Sequence, residues 1–371
     1  MIDIRQEFKK YSYSEKIFYI SILLTCFLGF YLICFGRIAA IYSVLVSLIT
    51  FANLYVILYL GTKPNWLYKE IATYVLFVVL ISHLPVVFYG SARINISRRT
   101  RDDLLESADT ALFGWLWIKG QISLTLDNSP TFNPETNSHI VFASILQVFY
   151  FIYYIYPYGC IYFMPLLQCI KGTVKKYKQK GNEPEGYRKK WNDLYFITAV
   201  YIISYSLCNI LNTIIPAVSP RLYFKYKHKL RLYGIAKWIN HTFKDNKSAN
   251  SFPSGHVSET MCIAFALFGM RRWIVGSIVL FGCIMILLAT LVLRYHYMID
   301  VIAALLSSTF SFLIPYLFYR KDKIVNDLYA KTVEGLISST DGLGLEFEKE
   351  EKMSELTTSF YPIGEGNDTD V

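Results

Sequence analysis

Long uninterrupted apolar blocks are the feature of this sequence that most restricts its fold. Most of them meet or approach the roughly 20 residues that a helix needs to cross a bilayer. Continuous blocks of this kind, rather than amphipathic stripes, are typical of membrane helices. The predicted spans are 17–36, 38–60, 71–89, 140–168, 194–216, 256–270, 273–293 and 299–319.

The composition supports the same fold class. Of the 371 residues, 54% are hydrophobic and 18% are charged, whereas soluble domains carry about 25% charged residues. These values exclude a water-soluble globule, a disordered chain and a collagen. The cysteines lie in apolar segments without CxxC spacing, which predicts core packing rather than a disulfide framework. We therefore predict an all-α, polytopic membrane helical bundle of about eight spans.

The distribution of lysine and arginine predicts the orientation. The loop 169–193 is short and densely basic, which favours the cytosol. Both termini then also lie in the cytosol, and 90–139 and 217–255 face a lumen. Three glycosylation triplets on the lumenal side agree, at Asn95, Asn240 and Asn246. We expect an integral membrane protein of the secretory pathway, in the Golgi or endoplasmic reticulum. Its first block is expected to be a retained span that directs targeting.

Two short polar segments open spans on the same predicted face. Ser251–His256 reads SFPSGH and opens span 256–270, and Arg294–Asp300 reads RYHYMID and opens span 299–319. The chain crosses the bilayer out and back between them, so the two histidines are expected to converge on one substrate at the lumenal surface.

The residue types in these segments indicate phosphoryl chemistry. His296 and Asp300 are four apart and share a helix face, so the carboxylate can accept the imidazole Nδ1–H and leave Nε2 as a nucleophile. His256 can act as general acid and then as general base. The predicted catalytic residues are therefore His256, His296 and Asp300.

Neighbouring groups suit a phosphate. Ser254 and Gly255 lie in a tight turn whose backbone N–H groups can meet a phosphate oxygen at a helix N-terminus. Arg294 can neutralise the phosphate charge, and Glu259 can orient His256. The remaining histidines lack metal-ligand spacing, so no metal and no cofactor is predicted.

These motifs resemble a known family. PSGH at 253–256 followed by HYMID at 296–300 is similar to the type 2 phosphatidic acid phosphatase superfamily, whose members use a phosphohistidine intermediate without metal. Asp109–Gly114 (DTALFG) and Pro216–Arg221 (PAVSPR) resemble elements of the subgroup that contains fungal inositol phosphorylceramide synthase. The resemblance covers roughly residues 105–318. It implies a six-helix catalytic core, with Arg221 as a further phosphate-binding residue.

Departures from the superfamily pattern favour transfer over hydrolysis. Hydrolytic members carry a K-x6-R-P motif that is absent here, and an arginine where this chain has Thr290. Sphingolipid phosphotransferases lack both features. The chain has Ser-Gly-His rather than the subgroup's Ser-Leu-His, which leaves head group and acceptor open.

The resemblance thus implies a metal-independent sphingolipid phosphotransferase of the inositol phosphorylceramide synthase type. It would move phosphoinositol from phosphatidylinositol to ceramide through a phosphohistidine. The expected partners are the phospholipid donor, the ceramide acceptor and the membrane, with no nucleic acid. Two alternatives stay open: a lipid phosphate or sphingoid phosphate phosphatase with the same histidines, and an inactive membrane scaffold.

The chain divides into three predicted regions. Residues 1–90 are predicted as N-terminal membrane spans, and 91–320 as the catalytic membrane core with lumenal loops. Residues 321–371 contain five basic and twelve acidic residues without apolar periodicity, which predicts a disordered cytosolic tail.

Overall fold

The computed structural model is mostly helical over the residues that it describes, which are 12–35, 48, 100–113, 137–154, 156, 159–160, 166–179, 187–223, 231–243 and 249–340. In chain order its helices are α1 (Tyr13–Phe35), α2 (Asp102–Phe113), α3 (Asn137–Ile152), α4 (Leu167–Lys178), α5 (Tyr187–Ile214), α6 (Pro220–Tyr223), α7 (Gly234–Phe243), α8 (Gly255–Gly269), α9 (Trp273–Val292) and α10 (Met298–Thr340). The predicted all-α class is confirmed for these residues.

Helix α5 lies at the centre of the bundle. It packs against α1, α4, α8 and α10, and 78% of its apolar window is buried, against 44% for α9 and 33% for α10. Lipid tails are as apolar as leucine, so packing and interhelical hydrogen bonds, rather than water exclusion, hold such helices together. One such bond joins the buried hydroxyls of Ser204 and Ser258, which are 2.8 Å apart on α5 and α8.

Among the described residues, three helices are long and apolar enough to cross a membrane. They comprise Lys189–Ile214, Trp273–Val292 and Met298–Val325, and they coincide with the predicted spans 194–216, 273–293 and 299–319. The predicted span 256–270 is helical as α8, and 17–36 is helical as α1. The predicted spans 38–60 and 71–89 lie outside the described residues except for Leu48, so the total of about eight spans and the six-helix core stay predictions.

The predicted span 140–168 is described only in part. Helix α3 ends at Ile152, and its apolar part, Ile140–Ile152, is too short to cross a bilayer alone. Beyond Tyr154 the described residues of this span are 156, 159–160 and 166–168, so its full length stays a prediction. The basic segment 169–193, predicted as a loop, contains α4 and the first turns of α5.

The last helix is longer than expected. Helix α10 continues to Thr340, so residues 321–340 are helical, whereas the sequence predicted a disordered tail from 321. Asp322 is buried within this extension and accepts hydrogen bonds from the backbone N–H groups of Tyr13 and Ser14 at 2.7 and 2.6 Å. These bonds join α10 to the N-terminus of α1. Residues 341–371 lie outside the described residues.

Candidate active site

The N-terminus of α8 positions His256. Ser254 is the N-cap residue, and its fully buried hydroxyl accepts a hydrogen bond from the backbone N–H of Val257. Such a cap satisfies one of the N–H groups that a helix leaves without an intrahelical acceptor. Gly255 is the first helical residue, so His256 lies in the first turn with its ring at the end of the helix.

The connection between α9 and α10 positions His296. The carbonyl oxygen of Thr290 accepts the backbone N–H groups of Tyr295 and His296, at 2.9 and 3.1 Å. Arg294 has a φ angle of 66° and is only 3% exposed. An arginine in the left-handed region costs about 1–3 kcal/mol and is found where the surrounding structure enforces it, often at functional sites.

His296 is held at Nδ1 by two acceptors. Nδ1 lies 2.8 Å from the backbone carbonyl oxygen of Ser251 and 3.3 Å from Asp300 Oδ2. Because a carbonyl oxygen and a carboxylate only accept, Nδ1 carries the proton and Nε2 has a free lone pair. His296 is 5% exposed and Asp300 is fully buried.

A hydrogen-bond network fixes the Asp300 carboxylate. Oδ2 accepts the hydroxyl of Ser251 at 2.6 Å and the backbone N–H of Tyr297 at 3.0 Å. The carbonyl of Asp300 accepts the backbone N–H of Ser254 at 3.2 Å. The two histidine segments are thus bonded to each other as well as to the helices that carry them.

The two imidazole rings face one another. Their centroids are 5.9 Å apart, with an angle of 59° between the planes. His256 Nε2 is buried and has no hydrogen-bond partner among the described residues. The structure therefore brings His256, His296 and Asp300 together, with an unpaired imidazole nitrogen on the residue that was predicted to carry protons.

Aromatic side chains from the end of α3 surround His256. Tyr150 stacks on its ring at 4.3 Å with planes 22° apart, and Tyr153 lies at 4.1 Å. The hydroxyl of Tyr153 donates to Glu259 Oε2 at 2.6 Å. Glu259, which was predicted to orient His256, thus bonds to a tyrosine that itself contacts the histidine.

Tyr150 also belongs to a column of stacked groups, which we call the aromatic column (Arg221, Tyr295, Tyr150 and His256). The rings of Tyr150 and Tyr295 stack at 4.1 Å with planes 11° apart, and the guanidinium of Arg221 lies 5.2 Å from the Tyr295 ring centroid. Arg221 Nη1 donates to the Tyr295 hydroxyl at 2.9 Å. Burial raises the pKa of Tyr295, so its hydroxyl keeps its proton and donates to Gln147 at 3.2 Å.

The predicted phosphate-binding residues are all close to the two histidine segments. Arg221 N donates to the carbonyl of Arg294 at 2.8 Å, which joins the 216–221 segment to the α9–α10 connection. Ser254 and Gly255 form the start of α8, and the hydroxyl of Ser254 is engaged as the cap. The phosphate-binding role of these residues stays a prediction.

Helix α2 supports the site from outside the bundle through two buried carboxylates. Asp102 accepts the backbone N–H groups of Val218 and Ser219 and the hydroxyl of Tyr297, at 3.1, 3.3 and 3.0 Å. Asp109 accepts the backbone N–H groups of Met298 and Ile299 at 3.0 and 2.7 Å, and so caps α10.

The environment of Asp109 changes its acidity. Burial raises the pKa of Asp109 from 3.8 to about 6, while the hydrogen bonds from Ile299 and Met298 oppose this change and the nearby Asp300 adds to it. Asp109 therefore titrates in a range where an exposed aspartate is fully ionised.

Sequence reasoning missed four residues of this site: Ser251, Tyr150, Tyr295 and Asp102. Ser251 acts through its hydroxyl and through its backbone carbonyl, and residue type does not reveal the second of these. Tyr150 precedes Tyr153 and Tyr154 by one helical turn, and this spacing could have indicated a shared face. Asp102 lies seven residues before Asp109, and a spacing of seven places both residues on one helix face.

The region that contains this site is similar to a known protein family. Residues 191–324 match the family model described as PAP2 superfamily. These residues are therefore similar to the PAP2 superfamily. The match includes both histidine segments, α5 after its first turn, helices α6 to α9 and the first part of α10.

A curated relative extends the similarity beyond residues 191–324. The chain is 29% identical over 308 residues to the PA-phosphatase related-family protein DDB_G0268928 of Dictyostelium discoideum. The alignment covers 79% of this chain and 54% of the relative, so the chain spans about half the length of that protein. No solved structure matches the chain.

Proposed function

We propose that the chain is an integral membrane phosphotransferase that moves a phospho-head-group from a phospholipid to a lipid alcohol through a phosphohistidine. The observation that carries the proposal is the pair of bonds at His296 Nδ1, because it leaves Nε2 as a nucleophile opposite His256. The PAP2 match supports phosphatase or phosphotransferase chemistry on lipid phosphates.

In the first step His296 Nε2 attacks the phosphorus of the donor. A P–N bond forms and the bond from phosphorus to the diacylglycerol oxygen breaks. His256 donates its Nε2 proton to the departing oxygen, so diacylglycerol leaves as a neutral alcohol. Asp300 stabilises the positive charge that develops on His296.

In the second step the acceptor hydroxyl occupies the position that the diacylglycerol oxygen has left. His256, now without its Nε2 proton, removes the hydroxyl proton while the oxygen attacks phosphorus. The P–N bond breaks and returns the electron pair to His296 Nε2. The reaction is therefore ping-pong and independent of metal.

The charges at the site favour a phosphodiester donor. A phosphodiester carries one negative charge and a phosphomonoester carries up to two. The site segments contribute two arginines, Arg221 and Arg294, and the first of these already bonds to Tyr295. Thr290 occupies the position of the arginine in hydrolytic members, and its hydroxyl donates to the carbonyl of Leu287 within α9. A phosphodiester donor, with its single negative charge, needs fewer positive side chains at the site than a phosphomonoester does.

Arg294 and Arg221, with the backbone N–H groups at Ser254 and Gly255, are proposed to hold the phosphate. We propose phosphatidylinositol as donor and the primary hydroxyl of ceramide as acceptor, by the likeness of 109–114 and 216–221 to the inositol phosphorylceramide synthase subgroup. The proposed location is the lumenal face of the Golgi or endoplasmic reticulum.

Hydrolysis is the second candidate function. The Dictyostelium relative is named as related to phosphatidic acid phosphatases, and the same two steps hydrolyse a lipid phosphate when water replaces the ceramide hydroxyl. The first step is common to both candidates, so the acceptor decides between them.

Product analysis separates these functions. Purified full-length protein in detergent micelles is incubated with EDTA, fluorescent ceramide and phosphatidylinositol, and in parallel with phosphatidic acid. We expect a slower-migrating fluorescent phospholipid that disappears without phosphatidylinositol and in His296→Ala. Free phosphate from phosphatidic acid without that lipid would instead establish the phosphatase. Wild type with neither product under any lipid condition would favour an inactive scaffold.

A further inference from the structure

The side chains of helix α4 form three sectors around its axis. The sector that packs on α5 is buried and consists of Cys169, Gly172, Thr173 and Lys176. A second sector is apolar but exposed, with exposed fractions of 40, 37, 49 and 65% for Leu167, Ile170, Val174 and Tyr177. The third sector contains three exposed lysines, Lys171, Lys175 and Lys178.

The spacing of these positions separates the sectors cleanly. At about 100° per residue, the exposed apolar sector is centred roughly 130° from the buried one, and the lysine sector lies roughly 90° further round. The apolar stripe and the lysine stripe therefore run side by side along the whole helix. This arrangement is typical of a helix that lies in a membrane interface, with its apolar side among acyl chains and its cations among head groups.

The place of α4 in the bundle agrees with an interfacial position. The thiol of Cys169 donates to the carbonyl of Lys190 at 3.4 Å, which fixes α4 against the first turns of α5. The active site lies toward the other end of α5, because Ser258, two residues after His256, bonds to Ser204, which is about 21 Å along α5 from Lys190. Helix α4 has 12 residues and is about 18 Å long, which is too short to span a core of about 30 Å.

Further cations lie at the same end of the bundle. The guanidinium of Arg272 is 3.4 Å from Asp193, close to Lys190 on α5, and Arg271 beside it is exposed. A second copy of the chain would bring lysine stripe against lysine stripe, which is repulsive, whereas an anionic surface complements it.

We propose that α4 binds the anionic phospholipid surface of the leaflet opposite the active site, with Leu167, Ile170, Val174 and Tyr177 inserted at the head-group boundary. Lysines near such a surface are attracted to its anionic head groups. The inference concerns a different surface from the reaction site and stands whether or not the proposed function is correct.

Amide hydrogen exchange of the full-length protein in nanodiscs tests this inference. One nanodisc contains phosphatidylcholine alone and the other contains about 30% phosphatidylserine, so that the surface charge differs. We expect exchange in 167–178 to slow at least tenfold with phosphatidylserine and to recover at about 0.5 M salt. Exchange in α8 should be equal in both nanodiscs, which controls for global stability.

Matched variants separate charge from shape. Replacement of Lys171, Lys175 and Lys178 by glutamate should abolish the slowing, whereas replacement of all three by arginine should retain it. Equal exchange in both nanodiscs for wild type would overturn the proposal, and so would slowing that persists in the glutamate variant. Slowing that appears only with two copies per nanodisc would also overturn it and assign the face to a contact between copies.

Discussion

Nδ1 of His296 lies closer to the backbone carbonyl oxygen of Ser251, at 2.8 Å, than to the carboxylate of Asp300, at 3.3 Å. The tautomer of His296 is therefore fixed by the backbone as well as by the side chain that the sequence identified. Asp300 is left with the task of stabilising positive charge on the imidazole. These two contributions can be separated by mutation, because a backbone carbonyl survives any substitution at Ser251.

Asp300→Asn is expected to lower kcat by about 10²-fold. This is less than the roughly 10⁴-fold loss that follows when an asparagine imposes the wrong histidine tautomer, because the Ser251 carbonyl still holds Nδ1–H. Steady-state kinetics in detergent measure the effect. Ser251→Ala, which keeps the carbonyl, should lose about tenfold or less. An Asp300→Asn loss as large as that of His296→Ala would contradict this division of roles.

Tyr150→Leu is expected to lower kcat about tenfold with a small change in KM. Tyr150 packs between His256 and Tyr295, and a stacked pair contributes about 0.5–1.5 kcal/mol beyond simple burial. Tyr150→Phe retains the stacking and should stay within about threefold of wild type. The matched control is Phe149→Leu, since Phe149 contacts Phe281 instead. Equal losses in Tyr150→Leu and Phe149→Leu would show that the aromatic column does not position His256.

Asp102→Ala is expected to destabilise the fold by about 2–4 kcal/mol and to lower activity. The substitution leaves Val218 N–H, Ser219 N–H and the Tyr297 hydroxyl without their acceptor, and Tyr297 is next to His296. Thermal unfolding and kcat are measured together. The neighbouring Asp103 is exposed, so Asp103→Ala should behave like wild type. Similar melting temperatures for the two variants would show that the hydrogen bonds to Asp102 do not stabilise the fold.

Asp109 gives the fold a specific pH dependence. The pKa of Asp109 is about 6 in the folded protein and 3.8 without the fold. Between these values the folded state binds more protons than the unfolded state, so this group makes stability fall as pH rises from about 4 to about 6 and adds no further change above that.

Asp109→Asn removes this dependence. The unfolding free energy of wild type relative to Asp109→Asn should therefore fall by about 2–3 kcal/mol over that pH range. Melting temperatures of both proteins at about pH 4 and about pH 6.5 measure the difference. A difference that does not change with pH, or that grows as pH rises, contradicts the assignment.

The parts of the site that sequence predicted depend on local spacing. His296 and Asp300 share a helix start, so their four-residue spacing was sufficient to predict that the two side chains lie together. The return of the two histidine segments to one face followed from counting the intervening spans. The same reasoning failed for the end of α10, because propensity fixes helix ends poorly.

The parts of the site that sequence did not predict depend on contacts between distant segments. The carbonyl of Ser251 points at His296 because Ser251 N–H bonds to the carbonyl of Ala217, beside the bridge between Ala217 and Asn250. No property of residue 251 alone contains this information. Tyr150 and Asp102 likewise act on segments more than 100 positions away in sequence, and only the packing of α2 and α3 brings them there.

Covalent trapping tests the phosphohistidine mechanism most directly. Purified full-length protein is mixed with a ³²P-labelled phospholipid donor, quenched in alkali within the first turnover, digested and mapped by mass spectrometry. We expect ³²P on the peptide that contains residue 296 in wild type, less ³²P on it in Asp300→Asn and none in His296→Ala. Turnover of wild type with no label on His296, or continued turnover of His296→Ala, would contradict this mechanism.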